Sequence, residues 1–398
     1  MTSVTELDLP AFDYSAPDLT GEVYHRRLAE TRERGWLARG PLSYVVLDRE
    51  AGEFFLRSRA TAFPGREIAD LFGVTAGRLR EQIDANVLNQ TGDRHRRLRA
   101  LVGPAFTPRA ADRWRPVMRE FLTRLWDTTT GSGDFVRAVA RPYPSMTIAA
   151  VLGAPVEDAP RLHEWSNLVQ RQFDVRALST ELPRIETACA EVHDYVEALL
   201  AERRADPADD LLSALLAASG AGDRLSHAEC VNLVVNVLAG GVDTTQAQLA
   251  HALRLFAAHP DQWALLAGDP AGRAPAAVRE VLRFEPITPF TARICAEPVE
   301  FRAVGFPAGS IVAICAARAN RETTDGDRFD ITAERDGRAL TFGAGAHYCL
   351  GANLATAELE EALAFLAPRM PGLRADGPAA LGGVEGIYQV ESLPLTWS

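Results

Sequence analysis

The most conspicuous absence from this sequence is lysine, because all 42 of its basic residues are arginine. A chain without lysine has no side-chain amine for Schiff-base chemistry and no lysine for a phosphate-binding loop. The formal net charge of the 398 residues is −11, which argues against nucleic acid as a partner. The sequence therefore excludes enzymes that use a lysine Schiff base or a phosphate-loop lysine, and it argues against a nucleic-acid-binding protein.

Cysteine is also scarce, and its five copies are scattered along the chain at Cys189, Cys230, Cys295, Cys315 and Cys349. None of them belongs to a CxxC pair, so they do not indicate a zinc site of that kind. Their odd number and scattered positions argue against a disulfide framework. The cysteines therefore predict a protein of a reducing compartment.

Long apolar runs are missing as well. The longest candidate, VNLVVNVLAGGV, is interrupted by Asn232 and Asn236 and is shorter than the ~18 residues that a membrane span needs. The acidic N-terminal segment MTSVTELDLPAFDYSAPDL has no apolar centre, unlike a signal peptide. We therefore expect a soluble, cytoplasmic protein with no membrane partner.

The hydropathy pattern predicts a fold that is mainly α with a smaller β portion. Residues 21–35 have helical spacing, and residues 42–49 are typical of a strand. Residues 299–318 predict further strands, with turns at Gly305 and Gly309. No repeat or low-complexity linker divides the chain, so we expect a single domain over residues 1–398.

One predicted helix is unusually long. Ser226 and Glu229 form a capping-box pattern, and the helical pattern then continues to about His259, where Pro260 follows. Such a helix measures roughly 50 Å at 1.5 Å per residue and would cross the molecule. Its centre, AGGVDTT (residues 239–245), consists of poor helix formers. The stretch is either a tolerated kink or a functional site that costs helix stability.

The segment FGAGAHYCLG, residues 342–351, combines three glycines with a histidine and a cysteine. Its small residues allow the backbone to approach a flat ligand closely. A Cys349 thiolate at the start of the helix ANLATAELEEALAFL would be stabilised by backbone amides and by the helix dipole. Such a thiolate is a soft metal ligand suited to iron, whereas we interpret the other four cysteines as structural.

The sequence resembles the cytochrome P450 family, the haem-thiolate monooxygenases, in four motifs that occur in the family's order and at about its spacing. The motifs are His-x-x-x-Arg at His95 and Arg99, small-Gly-x-acid-Thr at residues 240–244, Glu-x-x-Arg at Glu280 and Arg283, and Phe-Gly-x-Gly-x-His-x-Cys-x-Gly at residues 342–351. The last motif is highly specific, and Glu-x-x-Arg is weak by itself. Together they predict the cytochrome P450 fold, with a long central helix over the haem.

The resemblance implies that the protein binds haem b, with Cys349 as the proximal iron ligand. It places His95, Arg99, Arg293 and His347 against the two haem propionates, where charge-assisted hydrogen bonds are the appropriate interaction. It gives Glu280 and Arg283 a structural role towards the segment around Asn320. We expect the remaining histidines to be ordinary and mostly exposed: His25, His163, His193, His227, His251 and His259.

By the same resemblance, Asp243 and Thr244 are the catalytic pair. Reduction of dioxygen consumes two protons, which a hydroxyl and a neighbouring carboxylate can relay from solvent. The alternative is a threonine that bonds back to its own helix and bends it. Thr245 is assigned to packing.

The resemblance further implies oxidation of a small organic substrate, free or carrier-bound, in the manner typical of secondary-metabolite biosynthesis. Electrons would come from NAD(P)H through a separate ferredoxin and reductase, because no GxGxxG follows a strand. A peroxide-using haem enzyme and a haem-based sensor or carrier remain as alternatives. The expected pocket is apolar, with contributions from Phe72, Val87, Leu88, Phe173, Val175, Pro289 and Phe290.

A basic segment suggests where the electron donor docks. Residues 94–119 contain eight arginines against one acid, Asp112. We expect Arg96 and Arg97 to be solvated on the helix that carries His95, and the segment to border the proximal face. Such a patch would steer an acidic ferredoxin, although its arginines are equally suited to solvating a surface helix.

Overall fold

The structure is a computed structural model, and it describes residues 2–219, 225–335 and 337–397. Helices form most of it, as the sequence predicted. In chain order they are α1 (Gly21–Glu33), α2 (Arg49–Arg57), α3 (Gly65–Leu71), α4 (Gly77–Ala85), α5 (Gly92–Val102), α6 (Pro108–Asp112), α7 (Arg115–Trp126), α8 (Pro142–Leu152), α9 (Ala159–Gln170), α10 (Val175–Thr180), α11 (Leu182–Ala205), α12 (Leu211–Ser219), α13 (His227–Gly241), α14 (Asp243–Ala258), α15 (Pro260–Gly268), α16 (Pro270–Phe284), α17 (Ala316–Ala319) and α18 (Ala352–Leu366).

The strands are short and belong to four small sheets. They are β1 (Thr2–Ser3), β2 (Leu37–Arg39), β3 (Tyr44–Val46), β4 (Thr61–Ala62), β5 (Ser132–Asp134), β6 (Phe290–Cys295), β7 (Val299–Phe301), β8 (Val304–Phe306), β9 (Ile311–Cys315), β10 (Arg374–Ala375), β11 (Ala380–Leu381), β12 (Val390–Ser392) and β13 (Pro394–Thr396). The largest sheet has the order β2-β3-β9-β6-β4, and β3 and β9 are its parallel pair.

Most of the buried side chains belong to one large cluster that joins the helices, and two smaller clusters lie under the sheet of β2, β3 and β9. The C-terminal helix α18 packs against α7, α14 and α16 within the large cluster. Because α18 begins just after Cys349, the best-buried part of the fold fixes the position of the thiol.

The predicted central helix begins as expected but is not continuous. Ser226 Oγ accepts from the Glu229 amide and the glutamate reaches back, which confirms the capping box. The helix then ends at Gly241 and restarts at Asp243, with Val242 between α13 and α14. The break falls in the AGGVDTT stretch, where two glycines weaken the helix.

The predicted turns of the β region are correct at one position and wrong at the other. Gly309 has a φ of +84°, as a turn glycine does. Gly305, however, lies inside β8, and the β7–β8 turn consists of Arg302 and Ala303, whose φ values are 49° and 61°. The turn was missed because neither residue is typical of positive φ.

None of the described helices is both long enough and apolar enough to cross a membrane.

Candidate active site: the cysteine loop and the central helix

The loop that precedes α18 needs its glycines for geometric reasons. Gly343 and Gly345 have φ values of 69° and 72°, which glycine adopts without strain. A Cβ on Gly345 would lie 2.8 Å from Leu56 O, so a larger residue does not fit there. The Cys349 amide donates to Phe342 O at 2.9 Å, which closes the loop.

Cys349 differs from the other four cysteines in its surroundings. All five lie in the described residues; Cys189, Cys230, Cys295 and Cys315 are buried, and Cys349 is exposed. The surrounding protein atoms raise the pKa of the Cys349 thiol by desolvation, while the amides of Gly351 and Ala352 and the Arg99 guanidinium lower it. The sulfur therefore has backbone donors and a cation beside it, as a thiolate ligand needs.

The residues predicted to bind propionates come together beside this loop. The rings of His95 and His347 lie 4.2 Å apart between centroids. Arg99 Nη2 donates to Tyr348 O at 2.7 Å, which ties α5 to the cysteine loop. Arg293 on β6 is 4% exposed, and the hydrogen bond recorded for its guanidinium within the described residues goes to Ala292 O.

This cationic cluster has no anion of its own. Burial lowers the pKa of Arg293 to about 10. Burial, together with the charges of His95, Arg293 and Arg99, lowers the pKa of His347 to about 3. Within the described residues no carboxylate forms an ion pair with Arg99 or Arg293. A buried arginine without a counter-charge is costly, so the cluster fits an anionic ligand such as the carboxylates of haem.

Two glycines leave space that no protein atom occupies. Gly240 is exposed although its neighbours in α13 are mostly buried, and a Cβ there would meet nothing within 4 Å. The same holds for a Cβ on Gly351, two residues after Cys349. A helical glycine costs about 1 kcal/mol relative to alanine, so this space fits a flat ligand better than it fits a packing role.

Over the described ranges, no group of three His, Cys, Asp or Glu side chains could hold a metal ion. The donor set at this site, one thiol with cations beside it, fits a haem iron.

Glu280 and Arg283 make the structural contacts that the sequence indicated. Their side chains form a bidentate pair, with both nitrogen–oxygen distances at 2.7 Å. The Arg283 guanidinium also donates to the carbonyls of Asn320, Gly326 and Arg328. The pair therefore anchors α16 to the chain segment that leads to the cysteine loop.

Asp243 lies at the helix break and is almost completely buried. Burial raises the pKa of its carboxyl to about 7, against the opposing effect of Arg171 and Arg141. Its Oδ1 and the Nδ1 of His163 lie 3.8 Å apart, and neither atom has a hydrogen-bond partner among the described residues. Burial lowers the pKa of His163 to about 4, so its ring is neutral near pH 7.

The Thr244 hydroxyl donates to Gly240 O at 2.7 Å, four residues earlier. This is the bond back to the helix that the alternative interpretation of the threonine described, and it occurs at the helix break. Thr245 is buried, as assigned, and lies against Glu358 of α18. Burial raises the pKa of Glu358 to about 8, while the hydroxyls of Thr245 and Thr147 lower it.

The expectation for the remaining histidines was wrong for most of them. His251 is fully buried and His193 is 8% exposed, while His25 and His163 are largely covered. Of the six, His227 is exposed and His259 is half-buried. The sequence did not indicate this burial because the residues that cover these rings come from distant elements, as Glu285 does for His25, whose Nε2 lies 3.0 Å from Glu285 Oε1.

The basic segment is more neutral than its sequence suggests. Arg97 is not solvated as predicted, because it lies 2.5 Å from Glu229 of the capping box. Arg96 is exposed and contacts Asp93. Acids on other elements also contact Arg94, Arg113, Arg115 and Arg119. The sequence could not show these partners because most of them come from elements far along the chain.

Part of the predicted apolar pocket surrounds a cavity. Phe72 and Val175 line a cavity of about 580 Å³, together with the exposed residues Leu42 and Leu71. Phe173 lies nearby in an edge-on contact with Phe63, at 5.6 Å between ring centroids.

The chain matches a family model described as Cytochrome P450 over residues 45–264 and 274–366. It is similar to luteothin monooxygenase of Streptomyces thioluteus, with 35% identity over 98% of this chain and 96% of that protein. It is also similar to erythromycin C-12 hydroxylase of Saccharopolyspora erythraea, with 37% identity over 71% of this chain and 72% of that protein.

Solved structures give the same result for the fold. The crystal structure of CalO2 superposes with a TM-score of 0.90 and 32% identity, covering 98% of this chain and 99% of that one. A second structure, P450BioI in complex with an acyl carrier protein ligated to hexadec-9Z-enoic acid, gives a TM-score of 0.86 and 27% identity, covering 94% of this chain and 98% of that one.

Proposed function

The chain belongs to the cytochrome P450 family of monooxygenases, and on that premise we propose that it oxidises a small organic substrate in secondary-metabolite biosynthesis. The observation that carries the proposal is the exposed Cys349 thiol beside a cluster that contains Arg99 and the buried Arg293, with which no carboxylate of the described residues forms an ion pair. The relatives named for luteothin and erythromycin chemistry support the pathway class.

In this proposal haem b is held from two sides. Cys349 is the sole protein ligand of the iron, and His95, Arg99, Arg293 and His347 bind the propionates. When bound, the haem supplies dioxygen activation, which is the chemistry that the protein side chains lack.

The catalytic pair controls protons in the proposal. Asp243 is a buried carboxyl that is partly protonated near pH 7, so it can both take up and release a proton. The Thr244 hydroxyl stands one residue further on and already donates to Gly240 O, so its oxygen remains free to accept a hydrogen bond from a ligand. This pair favours an oxygen-dependent enzyme over a peroxide-using one or a haem-based sensor.

The redox partners we propose are a ferredoxin and its reductase, with NAD(P)H as the distant electron source. Two contacts hold the segment after His95 against the cysteine loop and the first turn of α18: Arg99 donates to Tyr348 O, and Asn353 Nδ2 donates to Phe106 O at 2.8 Å. Arg96 and Arg109 are exposed on this segment. It is therefore the surface that we propose for docking, in a cytoplasmic setting that suits five free cysteines.

The substrate is either free or carried by a protein. The relative whose structure contains a ligated acyl carrier protein supports the second option. The cavity beside Phe72 and Val175 supports an apolar ligand in both cases.

The proposal is tested on Cys349. The reduced protein under carbon monoxide should show the red-shifted Soret band of a thiolate-ligated haem, and Cys349→His or Cys349→Ala should lose it. Cys230→Ala, which removes a buried thiol elsewhere, is the matched control and should keep the band. A Cys349 variant that retained the band would refute the assignment.

A further inference from the structure

The two asparagines that interrupt the apolar stretch of α13 belong to a closed ring of side-chain amides. Gln82 Nε2 donates to Asn236 Oδ1 at 2.9 Å, and Asn236 Nδ2 donates to Asn232 Oδ1 at 2.8 Å. Asn232 Nδ2 donates to Gln82 Oε1 at 2.9 Å, which completes the ring. His193 Nε2 lies 2.7 Å from the same Gln82 oxygen. The ring therefore connects α4, α11 and α13.

The direction of the ring is fixed by a backbone group. Asn232 Nδ2 also lies 3.2 Å from the Gln82 carbonyl oxygen, which can only accept. This contact shows which end of the Asn232 amide is the NH₂ group. The orientations of the Gln82 and Asn236 amides then follow from their hydrogen bonds within the ring. Gln82 Oε1 is then an acceptor, so His193 donates to it from Nε2. Burial lowers the pKa of His193, which agrees with a neutral ring.

Joining three helices through buried amides costs desolvation free energy. Gln82 is 0% exposed and Asn232 is 2% exposed, so their amides are removed from water. Buried amides cost free energy unless each finds a partner, whereas leucines would join the same helices without that requirement. Of the three amides in the ring, Asn236 is the one that is only half-buried.

Asn236 lies on the same side of the central helix as Gly240. Residues 236, 240 and 244 follow one another at four-residue intervals and so lie along one side of the central helix. Gly240 on this side is exposed, and no protein atom fills the space beside it. Asn236 uses one N–H and one lone pair in the ring, and one of each remains.

We propose that the Asn236 carboxamide binds the substrate, by donating its remaining N–H to a carbonyl, ether or hydroxyl oxygen. Gln82, Asn232 and His193 are positioning residues that hold the amide in this orientation. The inference deepens the proposed function and rests on it. Asn236 and Thr244 are eight residues apart across the break at Val242, which corresponds to roughly 12 Å at 1.5 Å per residue. The substrate is then a mainly apolar molecule with an oxygen on the order of 10 Å from the oxidised carbon.

The test uses probes that are anchored at the haem. The probes are 1-alkylimidazoles of increasing chain length, each paired with the ketone of the same length, and binding is followed by the haem spectrum. The wild-type protein should bind the ketone roughly threefold to tenfold more tightly than its partner at one chain length, as expected for one net hydrogen bond. Asn236→Leu should remove this preference and still bind the alkyl probe.

Two further variants separate substrate binding from helix packing. Gln82→Met leaves Asn236 in place but releases its amide, so it should lose the ketone preference as well. Val237→Ala, a neighbouring half-buried position, should change the affinity of both probes equally and keep their ratio. If Asn236→Leu does not fold, Gln82→Met carries the test.

The outcomes that overturn the inference are distinct from failure of the proposed function. A wild-type protein with no ketone preference at any length, or Asn236→Leu and Gln82→Met proteins that keep it, would refute the role of Asn236. A variant that weakens both probes alike would reduce the ring to a link between helices. Absence of any imidazole-induced spectral change in the wild-type protein would instead refute the haem site itself.

Discussion

At the scale of single residues, the candidate site depends on side chains whose surroundings oppose their charge. Asp243 and Glu358 are carboxyls whose pKa burial raises, to about 7 and about 8. Arg293 is a guanidinium whose pKa burial lowers to about 10. Groups of this kind concentrate at functional sites because the fold must hold them against a desolvation penalty.

The first prediction at this scale concerns Thr244. Thr244→Ala should bind haem and substrate but divert electrons from product to hydrogen peroxide, because it lacks the hydroxyl that takes part in proton delivery. NAD(P)H consumption should continue while hydrogen peroxide replaces product. Thr244→Ser, which keeps the hydroxyl, is the matched control. Unchanged product per NAD(P)H in Thr244→Ala would exclude the role in proton transfer.

The second prediction concerns the pH dependence that Asp243 imposes. Because burial raises the pKa of Asp243 to about 7, the carboxyl can donate a proton below that pH and loses it above. Product per NAD(P)H should therefore fall as the pH rises from about 6 to about 8. The neighbouring His163, with a pKa of about 4, stays neutral over this range.

Glu358, whose pKa is raised to about 8, titrates near the same range, so a variant must assign the effect. Asp243→Asn should yield little product per NAD(P)H at every pH and lack the step near pH 7. If product per NAD(P)H still changed near pH 7 in Asp243→Asn, another group would be responsible for the pH dependence. Glu358→Gln would then be the next variant to measure.

At the scale of elements, buried ion pairs fix how the helices meet around the site. Glu285, which follows α16, is 1% exposed and contacts His25 of α1 at 3.0 Å and Arg254 of α14 at 2.7 Å. Removing one partner of a buried pair costs roughly 3–5 kcal/mol because the other charge remains buried. This carboxylate therefore joins α1 to α14 and α16, two helices from the other half of the chain.

The prediction at this scale is that Glu285→Gln lowers the thermal midpoint of the haem-loaded protein at pH 7 by several degrees. Burial raises the pKa of Glu285, but His25 and Arg254 lower it more, so it lies below its ordinary value of 4.5. A depressed carboxyl pKa contributes stability above about pH 4.5 and loses it as the pH falls through the folded-state value. The difference between variant and wild type should therefore shrink at acidic pH.

The exposed Glu30 on α1 provides the control for this comparison. It lies 3.9 Å from Arg26, and both side chains are 64% exposed, so Glu30→Gln should change the midpoint little at any pH. Equal midpoints for Glu285→Gln and Glu30→Gln would show that the buried pair contributes no net stability.

At the scale of the whole molecule, the charge of −11 sets how the protein meets a partner. Most of the arginines in residues 94–119 are paired with acids, so their steering effect is weaker than the sequence implies. Arg109 is exposed without an ion pair to the described residues, and Arg96 is exposed beside Asp93.

We predict that reduction by an acidic ferredoxin slows as ionic strength rises, because salt screens exposed charges. Arg96→Glu with Arg109→Glu should slow it further and leave substrate binding unchanged. Arg97 is left unchanged, because its loss would also disturb the capping box through Glu229. The matched control is Arg26→Glu with Arg27→Glu on α1, which makes the same change in charge elsewhere. Salt-independent reduction that the first pair does not alter would exclude this docking surface.

The sequence by itself determined the fold class, the start of the central helix and the cysteine loop. Each of these depends on local physics: helical periodicity, the capping box of Ser226 and Glu229, and glycines at Gly343 and Gly345 that allow positive φ. The break at Val242 was foreseen as a weak stretch for the same reason, because neighbouring residues in the chain set the propensity of a helix.

Only the tertiary structure decided which distant residues meet. The pairing of Glu285 with His25, the closed amide ring at Gln82 and the carboxylate that neutralises Arg97 each join elements far apart in the sequence. Burial also set the charge states, as it did for Asp243, because desolvation depends on the atoms packed around a group. Sequence spacing records neither of these quantities, since both arise only when the chain has folded.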